Sequence, residues 1–458
     1  MHAYYNRPFW RAPFDPNPVM RLHRLGVIVS IPFAVRVAGA QSDAGRNIPV
    51  RTVADAIATA TETFGAILGV RQLSDGRVFV NDAARRKLLL FEPALDRFTV
   101  IADTAAGATN DYVTSPAPII RYLGDSTFFA PFTLRALLVL DSKGVVARVA
   151  ALPQVGDWLF IIGSRTAVDE RGNLIYRASV DRGNPFVSAF TNDLLITQAP
   201  DSAPIVRADC ERRQVDTLAF VRIPTQQRVE RTYTNGRVSH VTVQVSPVSW
   251  VDDWAVMSDG TLAIVRGREY RVEWIGANGA VTDSPKLPFD WRRMTDEDKQ
   301  RIADSVVKEL TNILDRSRAS AAARGGGRAG RGAGRGDGGG GGGVLLPNQA
   351  GGISLTIPRD ATVVASPLAG MPDYYPPIRA GTVMADFDNN LWILPATSAR
   401  STRGGIVYDV VNRKGELFER VEMPPSRSVA GFGPNGALYL MWRDSTLAWH
   451  LEKTRIAR

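Results

Sequence analysis

The sequence predicts an all-β fold, a six-bladed β-propeller, on three observations. A short polar turn followed by an apolar strand recurs six times along the 458 residues. A second apolar strand follows most of these strands, and a third often follows the second. Short strands at regular spacing, separated by turn signals, are typical of a closed all-β array. The repeat is interrupted once, by an insertion in which an amphipathic helix precedes a Gly/Arg-rich loop.

Each repeat begins at a small polar turn. Asp-Gly and Asn-Gly dipeptides tolerate the positive φ angles of tight hairpins, so such a turn leads into a strand rather than a helix. The turns lie 49 residues apart from Gly76 to Asp125 and 47 apart from Asn389 to Gly436, a period typical of propellers and solenoids. The six turns are Asp75-Gly76, Gly124-Asp125, Arg171-Gly172, Asp259-Gly260, Asn389-Asn390 and Asn435-Gly436.

Two segments of the first repeat carry a family resemblance. They are Leu-Ser-Asp-Gly-Arg-Val-Phe-Val-Asn-Asp at 73–82 and Leu-Leu-Leu-Phe-Glu at 88–92. Here the chain resembles the six-bladed β-propellers of the NHL and TolB-like class, over about residues 50 to 458 apart from the insertion. Rings of this class are usually closed by a terminal strand from the other end of the chain, and Ile48 to Val53 is our candidate. The resemblance implies a fold rather than an activity.

The first forty residues predict export. A basic stretch after Met20, an apolar stretch of eleven residues and Ala38-Gly39-Ala40 follow one another in the order of a secretory signal peptide. Eleven residues are too few to span a bilayer, which needs about 20. We therefore expect residues 1–40 to be an extension and signal peptide, with the start at Met20, cleavage after Ala40, and a periplasmic or extracellular protein. No transmembrane segment is expected in the mature chain.

Residues 41–458 are predicted to form one propeller, interrupted by an insertion at 285–376. Thr295 and Asp298 form a weakened capping box, and apolar residues at helical spacing follow, so we expect a helix over 295–318 that docks on the propeller surface. A partner-binding helix is the alternative. The Gly/Arg-rich tract at 324–343 holds 13 Gly and four Arg in twenty residues and has little apolar area to bury, which predicts a disordered connector. The alternative is an RNA-binding tract.

The net charge of +9 does not belong to the propeller body. The first 40 residues carry +4 and the insertion carries +3, which leaves +2 for the rest. A strongly basic body would attract nucleic acid irrespective of its sequence. Because the body is nearly neutral and export is expected, nucleic acid is not a predicted partner.

Histidine-based chemistry has few candidates. Nucleophilic catalysis usually needs a His base, and only His240 and His450 follow the predicted cleavage site. Both fall in strand patterns.

Oxygen ligands for Ca²⁺ are the remaining candidates for a metal site, because four aspartates flank strands. Within the resemblance, gluconolactonase-type propellers use acidic and Asn ligands; no early Glu-x-Pro motif like theirs is present in this sequence, and only Asn81-Asp82 matches the remaining ligands. The candidate metal residues are Asn81, Asp82, Asp169 and Asp386, with Asp253 as a further strand-flanking acid.

Aligned repeats suggest one ligand site. In each aligned repeat we consider the positions just past the strand that follows the turn. If these positions line one end of the central channel of the propeller, they bring together Asp82, Arg177, Arg266, Trp442 and Arg443. Three arginines and a tryptophan there would form a partly aromatic mouth that attracts anions. The competing interpretation is that arginines end strands simply to solvate sheet edges.

We therefore expect an exported, monomeric, non-catalytic binding or scaffolding module. Loops on one face would recognise a protein, peptide or glycan of the cell envelope. The alternative is a metal-dependent hydrolase or lactonase of the gluconolactonase-like propeller type, with Ca²⁺ as its cofactor at the residues named above.

Overall fold

The computed structural model describes residues 48–104, 112, 117–131, 134–163, 165–178, 201–224, 228–235, 237–325, 343–346, 355–358, 361–396 and 404–457. Within them the α-helices are α1 (Trp158–Gly163) and α2 (Asp296–Gly325), and short 3₁₀ turns span Val155–Asp157 and Leu368–Gly370. The rest of the regular structure is β, which confirms the all-β class.

In chain order, the strands are β1 (Val50–Thr52), β2 (Ala58–Thr59), β3 (Ile67–Gln72), β4 (Val78–Asp82), β5 (Lys87–Phe91), β6 (Phe98–Ala102), β7 (Ile119–Arg121), β8 (Thr127–Phe129), β9 (Ala136–Leu140), β10 (Val146–Ala151), β11 (Ala167–Val168), β12 (Leu174–Arg177), β13 (Ser202–Asp209), β14 (Gln214–Arg222), β15 (Arg228–Thr234), β16 (Arg237–Val245), β17 (Asp253–Val256), β18 (Leu262–Arg266), β19 (Arg271–Ile275), β20 (Val281–Lys286), β21 (Gly343–Leu346), β22 (Leu355–Pro358), β23 (Thr362–Ala365), β24 (Val383–Ala385), β25 (Leu391–Ile393), β26 (Val407–Val411), β27 (Leu417–Glu422), β28 (Ser428–Gly433), β29 (Ala437–Arg443) and β30 (Trp449–Thr454).

Most strands form antiparallel sheets in which each strand pairs with the next along the chain. We number them sheet 1 (β3–β6), sheet 2 (β7–β10), sheet 3 (β11–β14), sheet 4 (β17–β20), sheet 5 (β24–β27) and sheet 6 (β28–β30). The predicted polar turns lie between the first and second strand of every one of these sheets. Gly76 has a φ of 91° and Asn389 a φ of 60°, as the hairpin argument requires.

The turns of neighbouring sheets also lie side by side. The Ser74 backbone N–H donates to Asp125 Oδ1 at 2.8 Å, and the Ser258 hydroxyl donates to Asn389 Oδ1 at 2.8 Å. These bonds join sheet 1 to sheet 2 and sheet 4 to sheet 5. We name the edge of the sheets that carries these turns the turn face, and the opposite edge, where the chain enters each first strand, the loop face.

The core consists of apolar layers between consecutive sheets. One cluster joins sheets 1 and 2, and others join sheets 2 and 3, 3 and 4, 4 and 5, and 5 and 6. A further cluster joins the last sheet back to the first, with Phe64, Val80 and Phe91 packed against Tyr439 and Leu451. Four-stranded sheets that pack face to face in sequence order, with the last on the first, form a β-propeller.

The first strands of the described chain complete the last sheets, though not as predicted. The segment at 48–53 does not complete the final sheet: β1 pairs in parallel with β27 and extends sheet 5. The closing strand is β2, which pairs antiparallel with β30 and becomes the fourth strand of sheet 6. Sequence reasoning missed β2 because a strand of two residues has no readable alternation.

A small additional sheet, which we name the inserted sheet, combines two strands from before the predicted insertion at 285–376, β15 and β16, with β23 from inside it. Strands β15, β16 and β23 form a three-stranded sheet, in which β23 runs parallel to β16, and β21 pairs with β22. The predicted capping box is present: Asp298 N–H donates to Thr295 Oγ1 and Thr295 N–H donates to Asp298 Oδ2, both at 3.2 Å. Helix α2 starts there but runs beyond the predicted 318, because Ala-rich sequence continues it.

Helix α2 packs differently from our expectation. Its apolar side chains from Val306 to Leu314 pack on Val241, Val243 and Val363 of the inserted sheet rather than on the propeller sheets.

No helix of the described residues is long and apolar enough to cross a membrane. The predicted signal peptide and nearly all of the Gly/Arg-rich tract lie outside the described residues.

Replacing Phe64 tests the closure between sheets 6 and 1. Phe64 is completely buried, so Phe64→Ala removes a large apolar side chain and leaves a cavity. We expect a loss of about 3–5 kcal/mol in the free energy of unfolding, measured by urea denaturation. Val50→Ala, at a side chain 56% exposed, is the control and should change it by less than about 0.5 kcal/mol. Equal losses in both variants would contradict the closure.

Replacing Leu314 tests whether the inserted unit is stabilised separately. Leu314 is 1% exposed and faces the inserted sheet. Leu314→Ala should increase amide hydrogen exchange in α2, β16 and β23 and leave sheets 1 and 2 unchanged, because local units open independently. Glu309→Ala, on the exposed side of the helix, is the control. Faster exchange throughout the sheets would show instead that the helix supports the whole propeller.

Candidate functional site

The predicted ligand residues end second strands and so share the loop face. Asp82 ends β4, Arg177 ends β12, Arg266 ends β18, and Trp442 and Arg443 end β29. Their positions agree with the alignment of the repeats. Their contacts differ, however, and these decide which of them can receive a ligand.

Asn81 and Asp82 hold the backbone of sheet 1 in place. The Asp82 carboxylate accepts N–H bonds from Gly65 at 2.8 Å and from Ala66 at 3.0 Å, in the loop that enters β3. The Asn81 amide donates to Ala117 O at 2.8 Å, and its oxygen accepts a bond from the Tyr112 hydroxyl at 2.7 Å. Both side chains are buried. Their oxygens already serve the protein's own donors.

Asp169 and Asp386 lie at the opposite edge, on the turn face. The Asp169 carboxylate accepts bonds from the backbone of the turn at Arg171 and Asn173. Asp386 accepts from Asn390 and, at 2.9 Å, from the indole N–H of Trp392. The structure therefore does not bring the four candidate metal residues together.

A Ca²⁺ ion needs six to eight oxygen ligands in one place. The described residues hold no group of three His, Cys, Asp or Glu side chains that could bind a metal. The residues proposed for Ca²⁺ thus do not fit that ion as a set, and we derive no chemistry through it.

Arg266 is fully paired. Its guanidinium contacts Asp252 Oδ2 at 2.9 Å and Glu273 Oε1 at 2.7 Å, and it donates to Phe220 O at 2.8 Å. Burial alone would lower the pKa of Arg266, but the hydrogen bonds to Glu273 and Asp252 outweigh it and raise that pKa. With two carboxylates already bound, Arg266 does not form part of an anion-attracting mouth.

Trp442 and Arg443 belong to an aromatic group on sheet 6. The Trp442 ring stacks on His450 with centroids 4.1 Å apart and an interplanar angle of 10°. Arg443 lies over Trp449 at 4.9 Å. His450 Nε2 is 2.8 Å from Asp444 Oδ2, and this bond to His450 holds the pKa of Asp444 well below its usual range. These side chains contact one another within one sheet, and the buried indole Nε1 of Trp442 has no hydrogen-bond partner.

Arg177 differs from the other predicted arginines. It is 8% exposed, and its Nε is buried without a hydrogen-bond partner. Its side chain makes no hydrogen bond to any other residue in the described part of the chain. Burial lowers the pKa of Arg177, while the charge of Asp253 raises it. A buried guanidinium with an unpaired N–H lowers the stability of the folded protein, and such groups are therefore rare.

A second arginine joins it at the loop face. Arg165, in the loop that enters β11, places Nη1 3.8 Å from Asp253 Oδ2, and this buried nitrogen also lacks a hydrogen-bond partner. Burial raises the pKa of Tyr408 to about 12, although the positive charge of Arg165 acts to lower that pKa. Arg165 of sheet 3 therefore acts on groups of sheets 4 and 5. Sequence reasoning missed it because it ends no strand.

Asp253 completes this group, which we name the Arg177 cluster (Arg165, Arg177 and Asp253). It begins β17 and accepts a bond from Val383 N–H of sheet 5 at 2.8 Å. Burial raises the pKa of Asp253, and the charge of Arg165 opposes this effect. Two guanidinium groups thus face one buried carboxylate. The cluster borders a space of about 20 Å³, enough for about one water-sized group.

No protein-family model matches the sequence, and no curated protein matches it. Solved structures similar to it include virginiamycin B lyase from Staphylococcus aureus, at 10% identity and a TM-score of 0.32 with 87% of each chain covered. Regucalcin, a calcium-binding protein from Agrobacterium tumefaciens, has 11% identity and a TM-score of 0.33, covering 89% of this chain and 96% of that one. A gluconolactonase from Xanthomonas campestris has 10% identity and a TM-score of 0.35, covering 89% and 98%. At these scores the likenesses carry no argument about activity.

Proposed function

We propose that the chain is an exported, monomeric, six-bladed β-propeller that binds a cell-envelope ligand without catalysis. The ligand presents an anionic group to the Arg177 cluster at the loop face. The six sheets and the clusters that join each to the next, and the last to the first, support the six-bladed ring. The apolar stretch before Ala40 supports export.

A single observation carries the anion site: the side chain of Arg177 is nine-tenths buried, its Nε has no partner, and it makes no hydrogen bond to any other described residue. A buried charge is expensive unless it is paired and hydrogen-bonded. Asp253 offsets one of the two positive charges, and Arg266 offers no third, because Asp252 and Glu273 hold it. Arg222 and Asp252 border the same space but are paired with Asp201 and Arg266. Among the described residues, the cluster therefore has one positive charge more than negative ones, and N–H groups that an anion would satisfy.

The ligand group is a carboxylate or a phosphate. A carboxylate is planar and a phosphate is tetrahedral, and both present acceptor oxygens to the paired N–H donors of an arginine guanidinium. The space of about 20 Å³ accommodates one oxygen of such a group rather than a whole ligand. The remainder of the partner, whether protein, peptide or glycan, would then rest on the loops around the cluster.

Anion binding is measurable as a shift of the melting temperature. Adding about 20 mM acetate or phosphate to the full chain, at constant ionic strength with chloride as reference, should raise Tm by about 1–3 °C, because a ligand of the folded state stabilises it by mass action. Arg177→Met should abolish the rise. Differential scanning fluorimetry measures both.

Two further variants keep this test decisive. Arg165→Gln should also reduce the rise, since it removes the second donor. Arg97→Met, at a side chain 82% exposed, is the matched control and should keep it. A rise that persists in both Arg177→Met and Arg165→Gln would place the anion elsewhere and contradict the proposal.

The two loop-face arginines should also differ in what they contribute to stability. Arg266→Met leaves Asp252 and Glu273 without their cation, so we expect a loss of about 3–5 kcal/mol. Arg177→Met removes an unpaired buried charge and should change the free energy of unfolding by less than about 1 kcal/mol without added anion. Urea denaturation in chloride buffer compares them. Equal losses would show that Arg177 is a structural residue.

A further inference from the structure

A groove lies between sheets 5 and 6 at the turn face, the end of the sheets opposite the Arg177 cluster. Its volume is about 620 Å³, within the range of small-molecule sites. The turn that follows β24 and the turn that follows β28 form two of its sides. No sequence pattern predicts this groove, because its walls come from segments of two different sheets.

The floor of the groove is aromatic. Phe418 is 37% exposed, and Phe432 is half-buried. The Phe432 ring lies on Trp392 with centroids 5.0 Å apart, and the indole N–H of Trp392 donates to Asp386 at 2.9 Å. These contacts hold the rings in place before any ligand arrives, so the apolar surface is preorganised.

The rim is polar and nearly balanced in charge. Arg51 and Glu419 approach to 3.9 Å and offset each other, and the Asp386 carboxylate is used by its own turn. Asp388 and Arg455, both exposed, then supply one negative and one positive group. In the described part of the chain, Asp388 makes no hydrogen bond.

We propose that this groove binds a neutral oligosaccharide of about two or three rings. A hydroxyl both donates and accepts hydrogen bonds, so the same kind of ligand group satisfies the Asp388 carboxylate and the Arg455 guanidinium without net charge. The C–H faces of sugar rings are apolar and flat, and they cover exposed phenyl rings such as Phe418. A strongly anionic or cationic ligand would leave one rim charge opposed.

The test is binding to an array of neutral oligosaccharides, with the affinity of the best ligand then measured by isothermal titration calorimetry. Phe418→Ala should weaken it at least about tenfold, because it removes the exposed ring of the floor. Asp388→Asn should weaken it about threefold or more, because the amide accepts a weaker hydrogen bond than the carboxylate.

Phe98→Ala is the matched control. Phe98 is 38% exposed, close to the 37% of Phe418, but it begins β6 in sheet 1 and does not line the groove. This variant should bind as the wild type does, and so should Arg177→Met, which separates this site from the anion site. Failure to bind any neutral oligosaccharide at about 1 mM overturns the proposal. Equal affinity in Phe418→Ala, or binding of charged peptides alone on a parallel array, also overturns it.

Discussion

Closure of the succession of sheets is the constraint on which the rest of this structure depends. Strands such as β4 and β12 are buried at every residue, so their sheets are apolar on both faces. Only neighbouring sheets can cover such faces. Sheet 2 covers one face of sheet 1, and the other face stays uncovered unless the last sheet returns to it. Phe64 and Leu451 supply that contact, and the Tyr439 hydroxyl adds a bond to Gln72 Oε1 at 2.8 Å.

The same constraint explains why most strand-end acids are structural. Where sheets converge, the loops that enter them carry backbone N–H groups that need acceptors away from water. Asp82 accepts such bonds within sheet 1, and Asp253 accepts one from sheet 5. Asp409 accepts a bond from the Tyr270 hydroxyl of sheet 4 at 3.2 Å. Burial raises the pKa of Asp409, and the hydrogen bond and charge of Arg420 oppose this rise. Acids distributed in this way hold neighbouring elements together and do not converge on one ion.

The features that the sequence could predict are those whose cause is local. A turn at Asp75-Gly76 needs only its own dipeptide, and the start of α2 needs only Thr295 and Asp298, so both were predictable. The closing strand β2 and the partners of Arg266 were not, because each depends on which strands pair and in which register. Arg266 meets Asp252 and Glu273 only once sheet 4 has formed. For the same reason, Arg165 has no signal in the sequence.

Comparison of two buried arginines shows why the unpaired one marks the site. Arg71 is 7% exposed, and burial lowers its pKa to about 9, yet its Nη atoms donate to Gly124 O at 2.9 Å and to Thr127 Oγ1 at 2.6 Å. It joins sheet 1 to the turn of sheet 2. Arg71 Nε, like Arg177 Nε, has no partner, but the Arg177 side chain, buried to the same degree, makes no hydrogen bond at all to another described residue. In a ring whose other buried ions hold neighbouring segments together, a guanidinium that holds none is free to hold a ligand.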